Sequence, residues 1–210
     1  MRKIIYALFL LLGHGAFAQQ PVKVACVGNS ITEGPGRNHP DSYPLQLQKK
    51  LGKAYLVKNF GVSARTLMKK GDFPFWNEPQ FEQVKEFEPD ILVVKLGTND
   101  SKPHNWIHKE SFTEDYVAMI ETYKKHMPAS AKIYICLPVP VFEDNYGITE
   151  KIIVEEMVPL IKEVAMKTGS IVIDLHSALA PHAELFPDGV HPNKKGAKIL
   201  AHSVAQNIKP

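Results

Sequence analysis

The sequence predicts an α/β protein, a three-layer α/β/α sandwich on a five-stranded parallel sheet, doubly wound in the flavodoxin-like manner. Three observations predict it. Strand-like apolar runs alternate with helical stretches along the chain, the pattern of β-α-β units. The runs Ile91–Val94 and Ile171–Ile173 are apolar without interruption, as strands buried on both faces are. Polar, glycine-containing strings follow the strands, on the side of such sheets where ligands bind.

The elements follow in order. Residues 1–18 read as a secretory signal peptide: Arg2 and Lys3 form the basic region, Ile4–Leu12 the apolar stretch, and Ala16-Phe17-Ala18 the cleavage site. The expected mature chain, 19–210, is one exported domain, periplasmic or extracellular. No later apolar run reaches spanning length, so stable membrane insertion is not expected. Val22–Val27 is the first strand. Asp41 or Ser42 caps a helix that ends at Gly52, with Pro44 in its first turn. Tyr55–Asn59 is the second strand, Gln80–Phe87 a short helix, and Ile91–Leu96 the third strand. Ser111-Phe112-Thr113-Glu114 reads as a capping box for a helix to about His126. Lys132–Leu137 is the fourth strand. A helix from about Thr149 stops at Gly169, with a kink expected at Pro159. Ile171–Asp174 is the fifth strand, and Asn193 caps the last helix, Lys194–Asn207.

Bulk properties exclude several functions. The formal charge is +3, and loss of Arg2 and Lys3 with the leader lowers it to +1. That balance, without a dense basic run, argues against nucleic acid. Cys26 and Cys136 stand in no C-x-x-C pair, and the histidines show no metal-binding spacing, so no metal or cofactor is implied. With strand order 2-1-3-4-5 the two cysteines sit on strands separated by another, about 10 Å apart, beyond disulfide reach.

Four strings carry chemistry. Gly28-Asn29-Ser30 follows strand one, Asn59-Phe60-Gly61-Val62-Ser63 closes strand two, Gly97-Thr98-Asn99-Asp100 follows strand three, and Asp188-Gly189-Val190-His191-Pro192 lies near the C-terminus. A serine hydroxyl needs a base to become a nucleophile, and an imidazole needs a carboxylate to orient it. Singly, each residue has an ordinary role in a turn. Together they resemble the sequence blocks of the SGNH hydrolase (GDSL-like lipase/acylhydrolase) superfamily, with Asn29 standing where that family usually has Asp. The resemblance covers essentially the whole mature chain. It implies a Ser30–His191–Asp188 triad and an oxyanion hole made by the N–H groups of Ser30 and Gly61 and the side chain of Asn99.

The stretch Lys95–Trp106 is also similar to secreted bacterial carbohydrate acetylesterases of the sialate O-acetylesterase-like type. On that likeness the expected substrate is an acetylated sugar or oligosaccharide. Trp106 would offer it a flat apolar face, with Asn29 and His104 as polar contacts. A lysophospholipase or thioesterase on the same scaffold is an alternative, as is a non-catalytic carbohydrate- or flavin-binding domain. Lys95, inside an apolar strand, is expected either to meet a carboxylate or to extend to the sheet's end.

Overall fold

The computed structural model describes residues 20–209, so the leader expected at 1–18 lies outside the described residues. The chain runs β1 (Val22–Gly28), α1 (Ser30–Glu33), α2 (Tyr43–Leu51), β2 (Tyr55–Gly61), α3 (Pro79–Phe87), β3 (Ile91–Lys95) and α4 (Pro103–Trp106). It continues α5 (Phe112–Lys124), β4 (Lys132–Cys136), α6 (Val158–Thr168), β5 (Ile171–Ile173), α7 (Leu175–Leu179) and α8 (Lys194–Ile208). All five strands are parallel, in the order β2-β1-β3-β4-β5.

Alternation along each strand fills two separate cores. Ala25, Val27, Leu92, Val94, Ile133 and Ile135 face one side, under α3, α5 and α6. Val24, Cys26, Ile91, Val93, Tyr134 and Cys136 face the other, under α2, α7 and α8. Both faces are covered, which is why these strands read as unbroken apolar runs. Cys26 and Cys136 are free and fully buried, and burial pushes both thiols up to about 12. Among the described residues, no helix is long and apolar enough to cross a membrane.

Register fixes where the chemistry-bearing strings emerge. Gly28 pairs with Gly61 on one side and with Lys95 on the other. Three strands therefore end level, and the loops after them leave from one edge.

Local chemistry sets some element ends differently from the sequence reading. Strand β2 runs on to Gly61 because pairing with β1 continues to Gly28. The capping box at Ser111 does not form. The Ser111 hydroxyl donates to the His108 carbonyl at 3.0 Å, and a turn of 3-10 helix over Lys109–Ser111 feeds straight into α5. Pro159 does not kink a continuous α-helix. A π-helical stretch, Ile152–Met157, precedes it, and Pro159 sits in the first turn of α6, where its missing N–H costs least. Asn193 does cap α8, its Oδ1 accepting from Lys195 N at 2.9 Å and Gly196 N at 3.2 Å.

Candidate active site

The serine arrives on a very short turn laid close upon the sheet. Asn29 caps α1, its Oδ1 accepting from Ile31 N at 3.1 Å, and Ser30 is the first residue inside it. No side chain fits beneath. A Cβ on Gly28 would collide with the Thr32 side chain and come 2.8 Å from the Lys95 carbonyl oxygen. A Cβ on Gly61 would strike the backbone of Thr32 and Glu33. The two glycines let α1 sit down on the ends of β1 and β2.

The acid and base arrive as one local unit. Asp188 Oδ1 accepts from the N–H groups of Val190 at 3.0 Å and His191 at 2.7 Å. Its other oxygen meets His191 Nδ1 at 2.7 Å. Gly189 between them has φ 78°, and a Cβ there would lie 2.6 Å from Glu143 Cβ, so both conformation and space call for glycine. Burial alone would raise the Asp188 carboxyl. The two amide donors and the imidazole outweigh it and hold it down at about 2.

These halves meet. Ser30 Oγ lies 2.8 Å from His191 Nε2, across 161 residues of sequence. Ser30, His191 and Asp188 thus form one continuous hydrogen-bonded chain. Ser30 and His191 line a pocket of about 270 Å³, together with Pro35, Asp41 and Lys194 among others.

Tyr146, at the end of the stretch Phe142–Tyr146, closes one side of this chain. Its ring stands edge-on to the His191 ring, with centroids 5.6 Å apart at 70°. Its hydroxyl donates to Asp188 Oδ2 at 3.3 Å, and the neighbouring Asn145 Nδ2 donates to the Asp188 carbonyl at 3.1 Å. The charge of Asp188 raises the phenol above its usual value. Tyr146 itself holds φ 55° and is 56% exposed, so this large side chain is kept at the surface on a strained backbone.

The sequence-expected oxyanion donors fare differently. Ser30 N–H stands at the head of α1, where a helix supplies no acceptor. Asn99 is nearly buried, and its Nδ2 donates to the Arg65 carbonyl at 3.1 Å, which leaves its second amide hydrogen. Gly61 departs from expectation: its N–H is taken by Asn59 Oδ1 at 2.9 Å, and its missing side chain serves the approach of α1. In the loop that follows, Val62 N bonds to the Gly28 carbonyl, Ser63 N to Glu33, Thr66 N to the Phe73 carbonyl, and Leu67 and Met68 N to Asp100. Among the described residues that leaves the N–H groups of Ala64 and Arg65. Ala64 holds φ 65°, a left-handed conformation that costs a residue with a Cβ about 1–2 kcal/mol.

The expected sugar contacts change most. Asn29 is 1% exposed and spends its oxygen on the cap of α1, so it faces the core rather than a ligand. Trp106 is 7% exposed, packs its edge against Phe112 with centroids 5.6 Å apart, and donates Nε1 to Glu156 at 2.9 Å. It is a core residue and offers no open face. His104 is exposed and bonds to Asp72 at 3.1 Å. Lys95 neither meets a carboxylate nor reaches the surface. It is 1% exposed, its Nζ has no partner among the described residues, and burial pushes it down to about 8. Among those residues, no group of three His, Cys, Asp or Glu side chains converges as metal ligands would.

Comparison with known proteins then decides the family. The GDSL-like lipase/acylhydrolase family profile matches residues 26–199. An acetylxylan esterase from Xylanibacter ruminicola is 42% identical over 210 residues, spanning 91% of this chain. The chain belongs to the GDSL-like lipase/acylhydrolase family. A multidomain esterase from Ruminococcus flavefaciens is 27% identical over 61% of this chain. The chain spans 44% of the length of the first relative and 16% of the second. The fold of this GDSL-like chain recurs in a carbohydrate acetylesterase family member from Sinorhizobium meliloti. There the TM-score is 0.70 and the identity 22%, covering 89% of this chain and 97% of that one. It recurs again in an acetylxylan esterase from Geobacillus stearothermophilus, with a TM-score of 0.69 and 19% identity, covering 90% of this chain and 94% of that one.

The packing at Gly61 yields a stability prediction. Gly61→Ala forces α1 away from β2, an overpacking penalty of about 1–3 kcal/mol, and the melting temperature should fall by roughly 3–10 °C. Circular dichroism melts of wild type and variant read this directly. An unchanged midpoint would mean that α1 does not rest on Gly61.

Proposed function

We propose that the chain is a serine esterase that removes small acyl groups, acetyl above all, from the hydroxyls of a carbohydrate. The observation that carries the proposal is the unbroken chain Ser30 Oγ–His191 Nε2–His191 Nδ1–Asp188 Oδ2, with links of 2.8 and 2.7 Å. In this reading Ser30 attacks the ester carbonyl carbon while His191 takes the hydroxyl proton. Asp188 fixes the tautomer that presents a bare Nε2 to Ser30, and stabilises the imidazolium that forms. The carbonyl–alkoxy bond then breaks, and His191 returns its proton to the departing sugar oxygen. Water, deprotonated by the same imidazole, then attacks the acyl-serine carbon, the carbon–Oγ bond breaks, and His191 returns the proton to Ser30 as the carboxylic acid leaves.

The developing oxyanion takes hydrogen bonds from Ser30 N–H, the spare amide hydrogen of Asn99, and Ala64 N–H in place of Gly61. Two things favour Ala64: its N–H has no acceptor among the described residues, and the adjoining Arg65 carbonyl is bonded to Asn99. The left-handed turn at Ala64 is the strain expected where backbone is bent to serve a site. A long acyl chain needs an extended apolar groove, and the loops that carry the four strings hold no apolar run to build one. The acetylxylan esterase likeness favours a carbohydrate as the alcohol. An Arg-Lys leader and an Ala-Phe-Ala site support export of the mature chain.

A fluorophosphonate probe should label wild type at Ser30 and leave Ser30→Ala unlabelled. Acetate release from acetylated oligosaccharides should disappear in the same variant. Absence of labelling would favour a non-catalytic binding domain. A clear preference for 4-nitrophenyl octanoate over the acetate would favour the lysophospholipase or thioesterase reading. Asn99→Ala should lower kcat by about 10²–10³ while the melting curve stays close to wild type.

Tyr146→Phe removes the donor that shares Asp188 Oδ2 with His191. On the net worth of one such hydrogen bond, kcat/KM on 4-nitrophenyl acetate should fall by about 2–10-fold. An unchanged kcat/KM would reduce Tyr146 to a wall of the cleft.

A further inference from the structure

Resting on the esterase reading, we propose that the cleft continues into a basic groove between α2 and α8 that takes a carboxylated, uronate-bearing stretch of the substrate glycan. His191 protonates the leaving alcohol, so the sugar must lie on the His191 side of Ser30. On that side, the pocket holding Ser30 and His191 shares Asp41 and Lys194 with a second hollow of about 600 Å³. A chain departing from His191 has this hollow as its next resting place. The volume lies within the range of ligand sites, about 300–1,000 Å³.

The lining is mostly basic. Lys49 and Lys50 come from the end of α2, and Lys194, Lys198 and His202 from α8. Asp41 is the one carboxylate among the lining residues, and it is already paired with Lys194 at 2.9 Å. Gln46 Nε2 reaches both the Asp41 carbonyl, at 3.0 Å, and the Lys194 carbonyl, at 3.1 Å, and so ties the two helices together at the junction of pocket and groove.

The arrangement runs against the interests of the helix that carries it. Lys194, Lys198 and His202 recur every four residues, so they line one stripe of α8. The like charges of Lys194 and Lys198 at that spacing repel, and Lys194 in the first turn opposes the helix dipole. Repulsion of this kind is relieved by an anion lying along the stripe. A phosphate-sized anion would fill little of a hollow of about 600 Å³, whereas an oligosaccharide with spaced carboxylates fits both its volume and its row of cations.

The experiment compares acetate release from acetylated oligosaccharides of equal length, neutral in one set and carrying uronate groups in the other. Each rate is normalised to 4-nitrophenyl acetate turnover by the same protein, which reads the reacting centre alone. Wild type should prefer the uronate set by about tenfold in kcat/KM at low ionic strength. That preference should shrink to about twofold at a few hundred millimolar salt. The double charge reversal Lys49→Glu/Lys198→Glu should abolish it. Equal rates on the two sets, or a preference indifferent to both salt and charge reversal, would overturn the groove while leaving the esterase reading intact. If wild type hydrolyses neither set nor 4-nitrophenyl acetate, the esterase reading fails instead. The groove is then judged by calorimetric binding of the deacetylated uronate oligosaccharide to wild type and to the charge-reversed variant. Loss of binding in the variant upholds the groove, and equal binding or none dismisses it.

Discussion

Two missing side chains, at Gly28 and Gly61, set how closely α1 approaches the sheet, and the rest of the site takes its position from that contact. The turn carries Ser30 at its head and Glu33 at its foot. Glu33 receives the Ser63 amide at 2.8 Å and thereby draws the loop after β2 against the same turn. Arg65, two residues on, gives its carbonyl to Asn99 from the loop after β3. Three loops separated in sequence are thus indexed to one another through a single helical turn. Because β1 lies between β2 and β3, and the three strands end level, small errors in that seating would move every proposed oxyanion donor together.

The acid–base half is organised on a different principle. Asp188 and His191 are three residues apart and would hold their mutual geometry almost wherever the segment lay, since three of the four bonds to the Asp188 carboxylate come from the backbone between and at the pair and from His191 itself. What must be placed is the segment as a whole. Asn193 N bonds to the Leu185 carbonyl at 2.8 Å, and the Phe142 amide bonds to the Gly189 carbonyl at 2.9 Å, which pins the segment from both ends. A prefabricated pair docked onto a separately seated serine needs only one long-range agreement, the 2.8 Å contact between Oγ and Nε2.

The sheet and the meeting of the four strings were legible because their signals are short-range. Apolar periodicity, helix stops at Gly52 and Gly169, and the cap at Asn193 all act within a turn or two. The misreadings concern residues whose role depends on distant neighbours. Trp106 looked like a sugar platform because it follows a polar loop, yet it is buried against Phe112 and its N–H goes to Glu156. Gly61 looked like a donor because glycine permits close approach, and it does permit one, but by α1 rather than by a ligand. Ala64 could not be suspected, since nothing in an alanine announces a positive φ. Tyr146 lay hidden for a similar reason: its link to Asp188 crosses 42 residues that no pattern connects.

The aromatic residues show how the chain separates stability from recognition. Phe75, Phe112, Tyr116 and Tyr123 are buried, and their rings fill the core on the α3, α5 and α6 side. Tyr146 is instead held in water on a left-handed backbone, a position that costs strain and forgoes burial. Neither cost is repaid by packing, since its notable contacts are an imidazole edge and a carboxylate oxygen. A residue that gains so little for the fold while touching two members of the hydrogen-bonded chain is best understood through that chain. Its hydroxyl meets the carboxylate oxygen that also holds His191, and its exposed ring flanks that imidazole. The fold fixes Ser30, His191 and Asp188 by close packing and short hydrogen bonds, and Tyr146 is held beside them by neither.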